Sequence, residues 1–473
     1  MTTRIRPIAR PLAALALAGA LAAPALAAER VKSTPDARRA VAITIYNDNL
    51  ALVKDVRDVT LPRGVGELWF EGVAAQIDPT SVHIRSVDAP DRLAVLEQNF
   101  EYDLVSPERL LEKYIGRELE LVRLLEEKEV TVPARLIGIE RGLVYEIDGK
   151  IAINPSGRVV LPALPEGLFS RPSLIWMLDS GREKHTVEAS YLTAGVGWRA
   201  DYVAVLAADD KKVDLNGWVT IDNQSGTTYD NATLKLVAGD VHRAEPEAQP
   251  RRMALATMEG VAQPQFAEEA FFEYHLYTLE RPATIKDRQK KQISLLSASD
   301  VAVEKTFVYE AVPSFYGRRG PDTSTKVGVY ISIENSEANH MGMPLPKGIV
   351  RVYKKDKAGD LQFAGEDRID HTPEGEKVRV KLGNAFDVVA ERVQTDFEVL
   401  SSGHLYRSSY KVTLRNHKTE DITVQVIERL AGDWRIENNS HSYEKESSHR
   451  VRFDIPVAKK GSAELTYTVL VRY

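Results

Sequence analysis

Beyond a polar stub at Ser33 to Arg39, the chain alternates apolar and polar residues with a period of two, and turn residues punctuate the alternation. Val41, Ile43 and Ile45 alternate with Ala42, Thr44 and Tyr46. Asp48-Asn49 makes a turn, and Leu50 to Leu61 forms a second run closed by Pro62-Arg63-Gly64. Successive side chains of a strand point to opposite faces, so this pattern specifies half-buried strands and constrains the fold to all-β. One helix start interrupts it. Ser106-Pro107-Glu108 offers an N-cap, a proline suited to the first helical position and an acid near the positive end of the helix dipole. Gly116 ends that helix near Tyr114. From Glu118 to Pro162 the pattern is strand-like again, with Glu118 to Glu129 read as a strand pair. Arg141-Gly142 and Asp148-Gly149 are read as two-residue hairpin turns, which together predict a small barrel-like unit.

The first residues are of a different kind. Arg4, Arg6 and Arg10 precede an apolar run from Leu12 to Ala23, and Ala25-Leu26-Ala27 has the small-x-small pattern of a signal-peptidase site. The run is shorter than the roughly 20 residues a membrane-spanning helix needs. A secretory leader cleaved after Ala27 is therefore expected, with a periplasmic or secreted mature chain and no transmembrane helix. Of 62 basic and 68 acidic residues, removal of the three arginines leaves 59 against 68, a net charge of −9. An acidic chain argues against nucleic-acid binding. The absence of cysteine excludes disulfides, thiolate metal sites and Cys nucleophiles, and is compatible with large sandwich cores.

Three segments share the pattern Val/Ile-x-Ile/Leu-x-Asn: Val219-Ile221-Asn223, Ile331-Ile333-Asn335 and Val412-Leu414-Asn416. Each places the Asn on the apolar face just before a polar loop, where it can tie off open backbone groups. Their spacing suits immunoglobulin-sized sandwich modules. The expected architecture is a leader at 1–27, an N-terminal β domain at 28–170, a central sandwich region at 171–395 and a C-terminal immunoglobulin-like sandwich at 396–473. The last is expected to contain strands at Tyr410 to Leu414, Ile422 to Glu428, Arg450 to Ile455 and Ala463 to Tyr473. The alternation of Leu465, Tyr467, Val469, Val471 and Tyr473 also suits an outer-membrane barrel, but the charged, proline-broken strands elsewhere favour a soluble sandwich. Ala244 to Ala267 reads as a long exposed loop, with a functional lid as the sharper alternative.

No motif selects a reaction. A Gly-x-Ser-x-Gly elbow, a phosphate-binding glycine loop and paired histidine spacings are all missing, so no catalytic residue and no cofactor are expected. The candidate metal ligands are Glu366, Asp367, Asp370 and His371, for which an exposed strand with a compensating Arg368 is the plainer account. Asp222-Asn223 beside Asp230-Asn231 is a second oxygen-rich candidate, set against ordinary turn chemistry. Lys286, Arg288, Lys290 and Lys291 form a candidate anionic-ligand patch, for which a lysine-guarded strand edge is the plainer account. The tryptophans at 69, 176, 198, 218 and 434 are expected in cores, with one or two rings free to stack on sugars.

Several blocks resemble a bacterial family, domain of unknown function 4139, related to mucoidy inhibitor A-like proteins. They are Tyr191-Leu-Thr-Ala-Gly-Val-Gly-Trp198-Arg-Ala-Asp201-Tyr202, Gly217-Trp218-Val-Thr-Ile-Asp-Asn223-Gln-Ser-Gly226 and Asn231-Ala-Thr-Leu-Lys-Leu-Val-Ala-Gly-Asp240. Tyr277-Thr-Leu-Glu-Arg-Pro282-Ala-Thr-Ile, Leu345-Pro-Lys-Gly348-Ile-Val-Arg-Val-Tyr353 and Gly365-Glu-Asp367 complete the set. The resemblance implies an exported β-rich protein with no established catalytic residues. The long coiled coil of mucoidy-inhibitor-type members has no counterpart, since no heptad run occurs here. The expected function is a non-catalytic cell-envelope role, binding or scaffolding, with an envelope protein or surface glycan as partner. The alternative is an enzyme acting on envelope polysaccharide through paired carboxylates.

Overall fold

The computed structural model describes residues 29–47, 49–125, 128–165, 168–239, 265–311, 326–401 and 404–472. The leader with Ala27, and residues 244–264 of the expected loop, lie outside the described residues. Phe266 and Ala267, counted in that loop from sequence, belong instead to the strand Phe266–Phe271, whose hairpin partner is Tyr274–Leu279. Among the described residues no helix is long and apolar enough to cross a membrane.

The architecture is all-β and multidomain, with the strands among the described residues assembled into four sheets. The α-helix forms at Pro107–Tyr114, where Ser106 Oγ accepts the Arg109 N–H at 3.2 Å as the capping signal requires. Glu118–Leu125 and Lys128–Gly138 pair antiparallel, as the strand reading expects. Asp148 and Gly149 both take positive φ, 50° and 72°, in a two-residue turn. Arg141-Gly142 departs from expectation, because it sits within a longer connection, residues 139–143. The barrel-like unit is an open five-stranded sheet. Its outer strands, Lys150–Ile153 and Arg158–Val160, each pair with one neighbour and not with each other. That sheet and the helix enclose a small core around Tyr114, Leu121, Leu136 and Tyr145.

Two larger cores account for the rest. The first gathers residues from Val41 to Val380, and the second residues from Phe307 to Val471. Three long strands serve both. Gln289–Glu310 contributes Ile293 and Val301 to the first core and Phe307 and Tyr309 to the second. Lys326–Glu334 and Lys377–Ser401 divide their apolar residues in the same way. The C-terminal strand Ser462–Arg472 turns Leu465, Tyr467, Val469 and Val471 into the second core, all nearly without solvent exposure.

The three repeated asparagines adopt one construction. Each lies at the end of a strand, Lys212–Asn223, Lys326–Glu334 with Asn335 following, or Leu405–Asn416, and each is fully buried. Asn223 Nδ2 reaches the carbonyls of Thr227, Ile285 and Lys286, Asn335 Nδ2 those of Met343, Thr372 and Pro373, and Asn416 Nδ2 those of Glu420, Val457 and Ala458. Each Oδ1 accepts a loop N–H, from Ser225, Gly342 and Lys418 respectively. A buried amide is tolerated because every polar group it meets is satisfied. The clamp at Asn223 also holds in place its neighbours Asp222 and Gln224.

Candidate functional site

Alternation along Val196–Leu206 sends Trp198, Ala200, Tyr202 and Ala204 into the first core, which leaves Gly197, Arg199 and Asp201 on the opposite face. Register then sets their neighbours. Across the Lys212–Asn223 strand, Asp222 stands opposite Gly197, Thr220 opposite Arg199 and Trp218 opposite Asp201. The Gln289–Glu310 strand adds Lys290 beside Asp222 and Gln292 beside Thr220. On the other flank Gly348–Lys355 runs parallel to the Val196 strand, and Arg351 faces Glu366 of Leu361–Ile369.

A buried ion network forms on this polar face. Asp201, 5% exposed, accepts hydrogen bonds at Oδ2 from Arg199 Nε (3.0 Å) and Thr220 Oγ1 (2.8 Å), and at Oδ1 from Arg351 Nη1 (3.1 Å). Arg351 Nε also meets Glu366 Oε2 at 3.1 Å, and Gln292 Nε2 donates to Thr220 Oγ1 at 3.1 Å. A buried carboxylate is stable only when its charge is offset, and here two guanidiniums offset it. One consequence is positional, since the Arg199 side chain is held by its Nε at the margin of the face.

Arg199 borders a polar trough of about 500 Å³. Asn47 and Asn49 contribute from the turn after Arg38–Tyr46, Gln76 from the loop after Gly64–Glu71, and Gly195, Gly197, Trp198, Asp222, Gln224 and Lys290 from the sheet and its adjoining turns. Asn49 Oδ1 accepts the Gly195 N–H at 2.9 Å, and Gln76 Nε2 donates to the Gln224 carbonyl at 2.9 Å. Gly195 has φ +80°, and a Cβ there would come within 2.9 Å of Gln224 O and Ser225 Cα, so the close approach of these segments requires glycine. Asp222 Oδ1 takes a hydrogen bond from Gln224 Nε2 at 3.3 Å. Its Oδ2, shielded from solvent, accepts none and has Lys290 Nζ at 3.5 Å. A second hollow of about 420 Å³ continues past Asp222, Gln224 and Lys290 to Asp287, Arg288 and Gln289.

The cationic candidates are thus divided. Lys290 lines the trough and the adjoining hollow, and Arg288 the hollow alone, each beside a carboxylate, with Arg288 Nε 3.6 Å from Asp287 and Lys290 paired with Asp222. Lys291 stands opposite Ile221, and Lys286 meets the clamp of Asn223 through its carbonyl. Residues 289–302 pair only with the Lys212 strand in the described ladders, which matches the strand-edge account.

The metal candidates are dispersed by their partners. Glu366 turns to Arg351. Asp367 accepts the N–H groups of Lys381 (2.8 Å) and Arg368 (2.9 Å). The strand ends at Ile369, so Asp370 and His371 leave its faces; His371 Nδ1 accepts the Lys347 N–H, and its Nε2 lies 3.4 Å from Asn47 Nδ2. Among the described residues no three His, Asp or Glu side chains converge as metal ligands. At the second oxygen-rich candidate, Asn223 is consumed by its clamp and Asn231 occupies a positive-φ position, φ 51°, with its N–H on Thr284 Oγ1. Of the tryptophans, Trp176 and Trp198 are buried, while Trp69, Trp218 and Trp434 are half-buried.

Every carboxylate whose pKa is resolved away from its ordinary value, namely Asp88, Glu108, Asp210, Asp300, Asp356, Glu420 and Glu437, is lowered. Asp88 reaches about 2, chiefly through the hydrogen bond from the Thr186 N–H.

Sequence reading alone did not single out Arg199, Asp201, Arg351 or the trough amides as a site. A signal was present. Arg199 and Asp201 sit at alternate positions among core residues, and the blocks carrying the family resemblance contain both of them together with Asp222, Arg351 and Glu366. No curated protein sequence matches the chain. The family model described as Domain of unknown function (DUF4139) matches residues 187–473, well over half of the sequence and all of the polar face, so the chain belongs to that family.

Proposed function

We propose that this is an exported, non-catalytic cell-envelope protein with a binding or scaffolding role, and that its ligand seats in the trough between Asn47, Arg199, Asp222 and Lys290. The observation that carries the reading is the trough itself: unlike charges and amides, with Arg199 anchored on the buried Asp201, around a volume suited to a small ligand, within the usual span of about 300–1,000 Å³. The Arg-rich leader and its Ala25-Leu26-Ala27 site support export. The enzymatic alternative requires a carboxylic acid kept protonated near neutral pH beside a second carboxylate, and none of the shifted carboxylates named above lines the trough.

Co-sedimentation of the mature chain with a purified cell-envelope fraction tests the proposal. Wild-type protein is expected to be retained, and the Arg199→Ala/Asp222→Ala double variant to be lost to the supernatant while keeping its circular dichroism spectrum. Equal retention of both proteins would sink the assignment of the trough.

A further inference from the structure

We infer that the trough recognises a pyranose unit of a glycan, with Asp222 and Lys290 bridging two vicinal hydroxyls. This rests on the binding role proposed above and names its ligand. A sugar hydroxyl both donates and accepts, so a vicinal pair is matched by an acceptor and a donor set side by side. Asp222 Oδ2 and Lys290 Nζ stand 3.5 Å apart, in ion-pair contact but outside hydrogen-bond geometry, and the carboxylate oxygen receives no hydrogen bond. The Lys290 side chain is about half exposed, at 48%. The binding we infer requires this stem to swing aside so that a diol reaches the carboxylate, and the diol then satisfies both groups. The amides of Asn47, Asn49 and Gln224 add donors and acceptors around this pair. Gly195 and Gly197, which carry no side chains, leave an open strip of backbone for the ring's C–H face.

Other ligand classes fit less well. A bare phosphate would meet the carboxylates of Asp222 and Asp287 along with the cations. An extended peptide adds to an unpaired sheet edge, and the open edge at residues 289–302 borders the trough and is not its floor, where Asp222 is paired on both sides, with Gly197 and Lys290.

The test is isothermal titration of the mature full chain with four named probes, maltohexaose, cellohexaose, β-1,4-mannohexaose and hexagalacturonate, whose internal units all keep a free vicinal 2,3-diol and which separate neutral from uronate sources of it. Saturable binding of at least one is expected. Asp222→Asn and Lys290→Met should each weaken it about ten- to a hundredfold, the loss of a charge-assisted hydrogen bond, while the exposed-site variant Lys459→Met leaves it unchanged. Lys290→Met changes only a half-exposed side chain, so it carries the test if Asp222→Asn fails to fold. Failure of all four probes at millimolar concentration, or binding indifferent to both variants, overturns the inference. If envelope retention still depends on Arg199 and Asp222 while no hexaose binds, the binding role stands and the sugar assignment falls. If a hexaose binds but retention is indifferent to the trough, the sugar assignment stands and the proposed envelope role falls.

Discussion

Asn416 shows how much a single polar side chain can organise. Its Nδ2 serves three carbonyls and its Oδ1 one N–H, from a side chain that is itself buried. Replacement by alanine abandons these groups together, and each buried group left unsatisfied costs about 1–3 kcal/mol. Asn416→Ala is expected to lower the stability of the second core by about 3 kcal/mol, read as a shift in the urea midpoint at unchanged slope; a shift equivalent to less than about 1 kcal/mol would deny the clamp its role. His185 is the other consequential residue. Only 2% exposed, it has Ser180 Oγ 2.8 Å from Nε2 and Ser86 Oγ 2.9 Å from Nδ1, and burial, aided by the Arg182 charge, pushes its pKa below the ordinary value. An unfolded chain therefore binds this proton more readily than the folded one. The neutral form's contribution is fully present above the unfolded value of about 6.5 and is lost as pH falls toward the folded value. Melting temperature should fall with acidification from about pH 7 downward, and His185→Gln should remove that component. A later loss, as pH falls from the ordinary aspartate range toward about 2, belongs to Asp88 and persists in the variant. The asparagine was legible in the sequence, since an amide at an apolar-face position demands local partners. His185 was not, because Ser86 is 99 residues away.

At the scale of elements, what reads clearly is what is local. The Ser106 cap, the Asp148-Gly149 turn and the strands Ile422–Arg429 and Arg450–Val457 follow from neighbouring residues alone. The Arg141-Gly142 connection and the strands Asp433–Asn439 and Tyr443–Ser447 do not, since polar, exposed edge strands carry little alternation. The Gln289–Glu310 strand is the element with the widest reach. It turns at Asp300, where φ is +57° and the backbone N–H binds Asp214 Oδ1 at 3.0 Å, and from there it passes from one core into the other. The two cores should therefore unfold together. Differential scanning calorimetry of the mature chain is expected to show one main transition for both. Val303→Pro, which deletes the hydrogen bond from the Val303 N–H to the Lys211 carbonyl, should split it into two. Two resolved transitions in the wild type would refute the coupling.

For the whole molecule, the trough depends on assembly. Asn47, Gln76, Arg199, Asp222 and Lys290 come from five separate segments, brought together by the parallel and antiparallel ladders around the Val196 strand and by the Asn49 and Gln76 contacts between sheets. Export is tested independently of this. Mass spectrometry of the periplasmic or secreted fraction should find the mature chain beginning at Ala28, and an intact leader there would refute cleavage after Ala27. The sequence by itself determined the all-β class, the helix cap, the repeated asparagines and the family, because period, capping and turn chemistry act over a few residues and leave a local imprint. Only the tertiary structure decided that Asp201 would be buried between two arginines, that Glu366, Asp367 and His371 would be claimed by other partners, and that three strands would pass through two cores. These outcomes depend on which strands lie side by side and in what register, and alternation, which reports only the buried face of each strand, is silent on both.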